Sequence, residues 1–149
     1  MNFVIKHYKD LTIDELYDIM VLRQEVFVVE QDCPYLDADG KDKIGWHVML
    51  NDDEGQLMAY TRLLAPGVSY EKYSSIGRVV SSGKGRGKGY GKSVMEASID
   101  AIIDLFPNHA IKISAQCYLL KFYNDLSFKE VGEEYLEDGI PHVGMIREL

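Results

Sequence analysis

The apolar residues of this chain fall into short runs that are separated by polar segments rich in turn residues. Short runs with a period of two, or with continuous apolar character, predict β-strands. The predicted strands lie at residues 3–8, 46–50, 57–64, 76–80, 111–115, 128–135 and 142–147. Residues 51–55, between two of these strands, have the composition of a hairpin turn.

Three other segments have helical periodicity, and the first of them begins with the capping-box spacing of Thr12 and Glu15. The apolar stripe of the second one stops before Pro107, which ends a helix. The predicted helices cover residues from Thr12 to Phe27, residues 93–106 and residues 118–126. The order β-α-β-β-β-loop-α-β-α-β-β predicts one mixed α/β domain over residues 1–149, with helices on the faces of a central sheet.

Length and composition agree with a single folded domain. A chain of 149 residues with 46% hydrophobic residues is long enough and apolar enough to bury a core. No apolar run has the length of a transmembrane span or the form of a secretory signal, so we expect no membrane partner. Two cysteines, Cys33 and Cys117, are too few for a disulfide framework or a metal set. We therefore expect a protein of the reducing cytoplasm that binds no metal.

Charge is distributed unevenly along the chain. The net charge of −8 argues against general nucleic-acid binding. Six of the 16 lysines and arginines nevertheless fall between Lys72 and Met95, where none of the 24 acidic residues lies. This positive segment on an acidic protein indicates a small polyanionic ligand, because the surrounding negative charge would repel a long nucleic acid. A solvated surface loop would explain the basic residues but not the glycines that alternate with them.

These glycines lie in residues 83–92, Gly-Lys-Gly-Arg-Gly-Lys-Gly-Tyr-Gly-Lys, between a predicted strand and a predicted helix. Glycine lets backbone N–H groups approach an anion, and a helix N-terminus adds the positive end of its dipole. The segment therefore predicts a phosphate or pyrophosphate site. Strict alternation leaves no G-x-G-x-x-G frame for a dinucleotide fold. Gly91-Lys92-Ser93 matches the end of a Walker A loop, but Arg86 occupies the position of its first glycine.

Another frame of the same loop carries a more specific resemblance. Residues 86–91, Arg-Gly-Lys-Gly-Tyr-Gly, match R/Q-x-x-G-x-G/A, the coenzyme A pyrophosphate loop of the Gcn5-related N-acetyltransferase (GNAT) superfamily. Residues 120–128 resemble the F/L-Y-x-x-L-G-F segment of that superfamily, with Ser127 in place of glycine, from which we expect a different turn geometry. Further blocks resemble the ElaA-type family of bacterial GNAT proteins, at residues 26–31, 33–35, 37–40, 77–80, 115–116 and 137–142.

This resemblance implies the GNAT fold, with a central, mostly antiparallel sheet flanked by helices, and an acetyl-CoA-dependent N-acetyltransferase. It places the pyrophosphate of acetyl-CoA on the backbone of residues 86–91 and the pantetheine arm along the preceding strand. Gly83 and Gly85 lie outside the matching frame, and we interpret them as additional conformational freedom. The implied acetyl-CoA-binding residues are Val79, Val80, Ser81, Arg86, Gly87, Lys88, Gly89, Tyr90, Gly91 and Lys92.

The resemblance also implies direct attack of an amine on the thioester, so that catalysis needs an acid and a base but no enzyme nucleophile. Tyr123 occupies the superfamily position of the general acid, although a tyrosine between apolar residues would equally suit a core position. Glu30 and His142 are candidate bases, with Glu137 as a third. The structural alternatives are a solvated Glu30 and a histidine that only makes structural hydrogen bonds.

The acceptor amine is less well determined. Acidic residues in the segments that flank the acceptor cleft of the superfamily favour a cationic amine, whether a small molecule or a lysine side chain, while a solvated acidic surface explains them equally well. These residues are Glu30, Asp32, Asp37, Asp39, Glu133, Glu134, Glu137 and Asp138. An exposed late strand could support a homodimer. Two other functions compete with the enzyme: a GNAT-fold module that binds CoA without catalysis, and a P-loop nucleotide-binding protein.

Overall fold

One sheet of seven strands runs through the computed structural model, which describes residues 1–149. The strands are β1 (Asn2–His7), β2 (Trp46–Asn51), β3 (Leu57–Leu64), β4 (Ser74–Ser81), β5 (Ile111–Gln116), β6 (Lys129–Glu137) and β7 (Ile140–Arg147). They follow the order β1-β2-β3-β4-β5-β7-β6, and only the pair β4–β5 is parallel. The prediction of a mostly antiparallel central sheet in a mixed α/β fold is therefore confirmed.

Three α-helices pack on this sheet, and none of them is long and apolar enough to cross a membrane. Thr12 and Glu15 make both hydrogen bonds of the predicted capping box at the start of the first helix. Gly89 caps the second helix in a left-handed conformation, and this helix ends just before Pro107. The helices are α1 (Ile13–Arg23), α2 (Tyr90–Leu105) and α3 (Leu120–Asn124).

The two faces of the sheet carry cores of different size. The larger core, here called the α2 core, buries the apolar stripe of α2 and includes Tyr123 and Phe128 beside it. The smaller one, the α1 core, holds Ile19 and Leu22 of α1 against inward-facing residues of β2, β3 and β4. On this face α1 packs mainly on β3 and β4.

Strands β4 and β5 stay together only at one end. Their paired residues are Ser74 with Ile111 and Ser75 with Lys112, and no pairing continues beyond these. Past this point β4 remains bonded to β3, while β5 bonds to β7. The sheet therefore opens between β4 and β5, directly before the glycine loop that follows β4.

Two local details differ from the sequence predictions. The first helix does not stay α-helical to Phe27: it changes at Gln24 into a π-helix that runs to Glu30, where several valines have low α-helical propensity. We expected Ser127 to require a different turn geometry from glycine, and this prediction is wrong. Ser127 has φ +72°, the left-handed conformation that glycine would adopt, and it ends α3 with a bond from its N–H to the carbonyl of Asn124.

Candidate active site

A cleft of about 810 Å³ follows the opening between β4 and β5. One end lies at Arg86 and Gly91 of the glycine loop, and the other lies at the hairpin between β6 and β7. Its walls include the backbone of β4 and the aromatic residues at the start of α3. The cleft therefore joins the predicted pyrophosphate site to the predicted acid and base, which lie far apart in the sequence.

The glycine loop presents a row of backbone donors. Gly87 and Gly89 have φ of +82° and +78°, in the left-handed region that glycine enters at little cost. In this conformation the N–H groups of six residues have no acceptor within the protein: Arg86, Gly87, Gly89, Tyr90, Gly91 and Lys92. Three of these donors belong to the first turn of α2, where the helix dipole is positive. Such an array binds a phosphate or pyrophosphate group.

Side chains contribute less to this loop than its backbone does. Arg86 and Gly91 line the cleft, together with Val79, Val80 and Ser81 of β4. Val80 contributes only its backbone, because its side chain is buried in the α1 core. The other predicted acetyl-CoA-binding residues do not line the cleft, and Lys88 and Lys92 are exposed. The remaining three of this group are Gly87, Gly89 and Tyr90.

Gly85 is not the source of additional freedom that we expected. It is buried, and a Cβ atom at this position would lie 2.5 Å from the Tyr90 ring and 2.8 Å from the Met58 methyl group. Both distances are far below those of real Cβ contacts. Gly85 is therefore required by packing under the loop, whereas Gly83 has open space around it with only Glu30 at 3.8 Å.

A network of three arginines and three aspartates lies beside the cleft, and we call it the arginine–aspartate network. Arg23 is fully buried and binds Asp37 and Asp42, each at 2.7 Å. Arg62 binds Asp39 and Asp42, each at 2.8 Å. The third arginine, Arg78, lies 2.8 Å from Asp37 and 3.4 Å from Asp39. The three negative charges of the aspartates offset the three positive charges of the arginines, which compensates the cost of removing the guanidinium groups from water.

This network corrects the interpretation of Asp37 and Asp39 as carboxylates that attract an amine. Burial opposes ionisation of Asp39, but hydrogen bonds and charges from Arg62, the Lys41 N–H and Arg78 outweigh it and lower its pKa to about 2. Burial likewise opposes ionisation of Asp42, whose pKa is still lowered, because Arg23 and Arg62 bind it. Asp37 and Asp39 are thus neutralised within the protein and are not free to bind a cationic ligand.

Tyr123 lies at the middle of the cleft, on α3. Its ring is buried against Phe122 and Phe128, with centroid distances of 5.1 and 6.1 Å, so the core position that the sequence suggested is real. Its hydroxyl makes no hydrogen bond within the protein, and its oxygen is not fully shielded from solvent. Burial, and to a lesser degree Tyr118, raises the pKa of this phenol, which therefore stays protonated at neutral pH.

His142 lies on β7 at the other end of the cleft and is held in one orientation. Its Nδ1 is 2.7 Å from the carbonyl oxygen of Ile140, which can only accept a hydrogen bond, so Nδ1 carries the proton. The neutral ring therefore has its lone pair on Nε2. Glu137 lies 3.4 Å from Nε2, and the Tyr135 ring stacks on the imidazole at 6.2 Å. Nε2 and the Glu137 carboxylate thus lie side by side at this end of the cleft.

Glu30 is placed differently from the other candidate base. It ends the π-helix and makes an ion pair of 2.6 Å with Arg86, across the mouth of the cleft. Its carboxylate therefore belongs to the end of the cleft at the glycine loop, while His142 belongs to the opposite end. No group of three or more histidine, cysteine, aspartate or glutamate side chains is arranged to hold a metal ion.

Sequence reasoning missed the arginines of the network as site residues. Arg23 carried a readable signal, because it falls on the apolar stripe of a predicted helix, where an arginine must find a buried partner. Arg62 and Arg78 carried a similar signal, since each is the one charged residue of a predicted strand, 57–64 and 76–80. Their partners come from residues 37–42, which have no α-helix or strand, and only the folded chain brings them together.

Comparisons with known proteins agree with this geometry. The family model described as Acetyltransferase (GNAT) domain matches residues 41–149. A UPF0039 protein of Synechocystis is 41% identical over 146 residues, which is 98% of this chain and 94% of that protein. The protein ElaA of Escherichia coli is 39% identical over 145 residues, which is 96% of this chain and 94% of ElaA.

Solved structures give the same result. An acyl-CoA N-acyltransferase from Pseudomonas aeruginosa has a TM-score of 0.92 at 46% identity and covers 99% of this chain and 100% of its own. The structure of Escherichia coli ElaA has a TM-score of 0.91 at 35% identity, with coverage of 99% and 100%. Sequence, fold and the cleft beside the glycine loop thus lead to one conclusion: the chain belongs to the ElaA-like family of GNAT acetyltransferases.

Proposed function

We propose that this protein transfers an acetyl group from acetyl-CoA directly to the nitrogen of an amine. The observation that carries the proposal is the glycine loop, which has six unpaired N–H groups and which reaches, with Arg86 and Gly91, the cleft that contains Tyr123 and His142. The loop supplies a site for the pyrophosphate, the opening beside β4 supplies a path for the pantetheine arm, and the two side chains supply the proton transfers.

Binding of acetyl-CoA would depend mainly on backbone atoms. The unpaired N–H groups of residues 86, 87 and 89–92 suit a pyrophosphate, and the basic side chains around them would add charge. Acetyl-CoA brings an activated thioester into the opening between β4 and β5. There, a backbone N–H of Val79, Val80 or Ser81 can stabilise the negative charge that develops on the thioester oxygen.

His142 is the better candidate for the general base. The amine nitrogen forms a bond to the carbonyl carbon, and the proton it loses passes to the lone pair of His142 Nε2. Glu137 lies 3.4 Å from this nitrogen and would face the proton there. Glu30 is less suited, since Arg86 holds its carboxylate at 2.6 Å at the far end of the cleft.

Tyr123 completes the reaction as the general acid. When the carbon–sulfur bond breaks, the sulfur leaves with the electron pair of that bond as a thiolate. The Tyr123 hydroxyl, which has no partner within the protein, can donate its proton to this thiolate. Its raised pKa keeps the phenol protonated before each turnover.

Charge at the acceptor end supports a cationic amine as the acceptor. Once Asp37 and Asp39 are paired with arginines, the acidic residues that still line this end are Glu137 and Asp138. Glu133 and Glu134 lie exposed on the same hairpin. An alkyl ammonium drawn toward this end would lose one proton to solvent, and the neutral amine would then attack and pass its second proton to His142. Nucleic acid is a poor partner for this surface, since its phosphates would meet these carboxylates.

The variant Tyr123→Phe tests the proposal. We expect turnover to fall by about 10² or more, because the leaving thiolate loses its proton donor, while CoA affinity changes by less than about threefold. Tyr118→Phe is the matched control, since Tyr118 is an exposed tyrosine on the same cleft and should keep turnover and affinity.

Two outcomes would overturn the proposal in favour of another function. If CoA raises the melting temperature but no amine in a broad panel releases free CoA thiol, the protein is a CoA-binding module without catalysis. If magnesium-ATP raises the melting temperature and CoA does not, the glycine loop is a nucleotide-binding P-loop.

A further inference from the structure

Arg78 has an unusual backbone conformation at the centre of the cleft wall. Its φ is +50°, in the left-handed region that an arginine seldom enters. The other non-glycine residues with positive φ are Asp32, Asn108, Ser127 and Asp138, all of them short polar residues outside the regular stretches of the strands. Arg78 alone lies within a strand, β4, so its conformation must be imposed by the surrounding structure.

That conformation forms a β-bulge opposite β3. Val80 pairs with Tyr60 and Gly77 pairs with Arg62, so that Arg78 and Val79 together face the single residue between those two partners. In a regular strand, residues 76, 78 and 80 would share a face. Instead Ile76 and Val79 pack on the α2 core, and Val80 belongs to the α1 core. The bulge therefore decides how residues 79–81 face the opening beside β5.

Backbone and side-chain groups of Asp37 and Asp39 bind the Arg78 guanidinium. The Arg78 Nη2 donates a hydrogen bond of 3.0 Å to the carbonyl of Asp37 and lies 3.4 Å from the Asp39 carboxylate. The Nε atom lies 2.8 Å from Asp37 Oδ1 without the alignment of a hydrogen bond, so this contact is an ion pair. Asp37 is fixed in turn by Arg23 at 2.7 Å and by the Tyr35 hydroxyl at 3.0 Å.

We propose that Arg78 is a positioning residue, whose guanidinium, bound to Asp37 and Asp39, holds the β4 bulge so that the backbone of residues 79–81 faces the thioester. This inference rests on the proposed function for its catalytic meaning. The arginine–aspartate network thus acts at a distance from the reacting atoms. It sets the orientation of the backbone donor that stabilises the thioester oxygen, whereas the glycine loop binds the other end of the cosubstrate independently.

Kinetics of Arg78→Ala test the proposal against a purely structural role. We expect kcat to fall by about tenfold or more, because a small displacement of the donor is enough, while the Kd for CoA changes by less than about threefold. Arg78→Gly can adopt the left-handed conformation without strain but has no guanidinium, and we expect kcat to fall in this variant too. Asn108→Ala is the control, since Asn108 has φ +71° in a turn after α2, outside the cleft lining.

Three kinetic results would overturn the proposal. One is a wild-type kcat in Arg78→Ala. Another is a wild-type kcat in Arg78→Gly alone, because only backbone freedom would then matter at this position. The third is a parallel loss of kcat and melting temperature in both Arg78→Ala and Asn108→Ala, which would indicate general destabilisation.

Hydrogen exchange tests the same inference without any turnover. Backbone amides of residues 76–82 should exchange about tenfold faster in Arg78→Ala than in the wild-type protein, and at the wild-type rate in Asn108→Ala. Unchanged exchange in Arg78→Ala would overturn the proposed role. Since this measurement needs no acceptor, a protein without transferase activity would refute the proposed function and still leave the role of Arg78 open to this test.

Discussion

The glycine loop and the arginine–aspartate network lie on the same cleft but are built in opposite ways. The loop is one continuous segment, and its binding groups are backbone N–H donors that any sequence with the right conformation would present. The network assembles six side chains from α1, β3, β4 and residues 37–42, and every one of them needs its partners. The loop therefore tolerates changes of its basic side chains, whereas the network does not tolerate loss of a charged one.

This difference also separates the two halves of the proposed reaction. Cosubstrate binding depends on backbone geometry at the loop, so glycines matter there more than charges. The proton transfers of the proposed reaction would depend on single side chains, His142 and Tyr123, and the Ile140 carbonyl sets the orientation of His142. Three substitutions test this division, and their expected effects range from a loss of activity to a modest loss of CoA affinity.

His142→Asn should cause the largest loss. Asparagine can still donate a hydrogen bond to the Ile140 carbonyl, but it cannot accept a proton from the amine, so kcat/KM should fall by about 10²–10⁴. Glu30→Gln, in contrast, should change kcat/KM by only a few fold. Steady-state kinetics of both variants test this prediction. A large loss of kcat/KM in Glu30→Gln, with no loss in His142→Asn, would place the general base at the glycine loop and contradict the proposed division.

Asp42→Asn should reduce stability rather than chemistry. The substitution removes the charge that Arg23 and Arg62 share at 2.7 and 2.8 Å, which leaves buried guanidinium groups undercompensated. We expect the free energy of unfolding, measured in urea at neutral pH, to fall by about 3 kcal/mol. Asp53→Asn, at an exposed pair with the N-terminus, should show no measurable change.

Acid titration sharpens the prediction for Asp42→Asn. The pKa values of Asp39 and Asp42 are lower in the folded than in the unfolded chain, so their contribution to stability is present above about pH 4. It is lost as the pH falls toward about 2, where Asp39 takes up a proton. The Asp42→Asn variant should lose less stability across this interval than the wild-type protein, and an equal loss would contradict the account of the network.

Gly89→Ala should have a smaller, local effect. No atom would clash with the added Cβ, so the cost comes from the left-handed φ of +78° alone, about 1–2 kcal/mol. We expect CoA affinity, measured by calorimetry, to fall by about tenfold. Lys88→Ala removes an exposed charge next to it and should weaken binding by less than about threefold. The reverse order would show that side-chain charge, and not the backbone, is the main receptor.

The comparison also explains which features the sequence could predict. The sheet, the capping box of α1 and the glycine loop were readable because their signals are local: periodicity, a three-residue spacing and alternating glycines. The requirement for Gly85 was not readable, since it arises from the Tyr90 ring and the Met58 methyl group above it. The bulge at Arg78 was not predictable either, because the aspartates that bind Arg78 lie in a segment with no periodic pattern.

The candidate catalytic residues could be predicted from the sequence only in part. The resemblance implies Tyr123, and the chemistry of histidine makes His142 a candidate, but sequence alone leaves both a structural and a catalytic role open. The fold places each on the cleft, and the Ile140 carbonyl determines which nitrogen of His142 carries the proton. No pattern in the sequence could show that Glu30 would pair with Arg86 at the opposite end.

The most direct test of the central claim is a thiol-release screen of acetyl-CoA against diverse amines, with mass spectrometry of the products. We predict free CoA thiol in proportion to an N-acetylated amine, with cationic alkylamines preferred, and a loss of both products in His142→Asn and Tyr123→Phe. Absence of acetylated product from every amine, in a protein that still binds CoA, would contradict the claim.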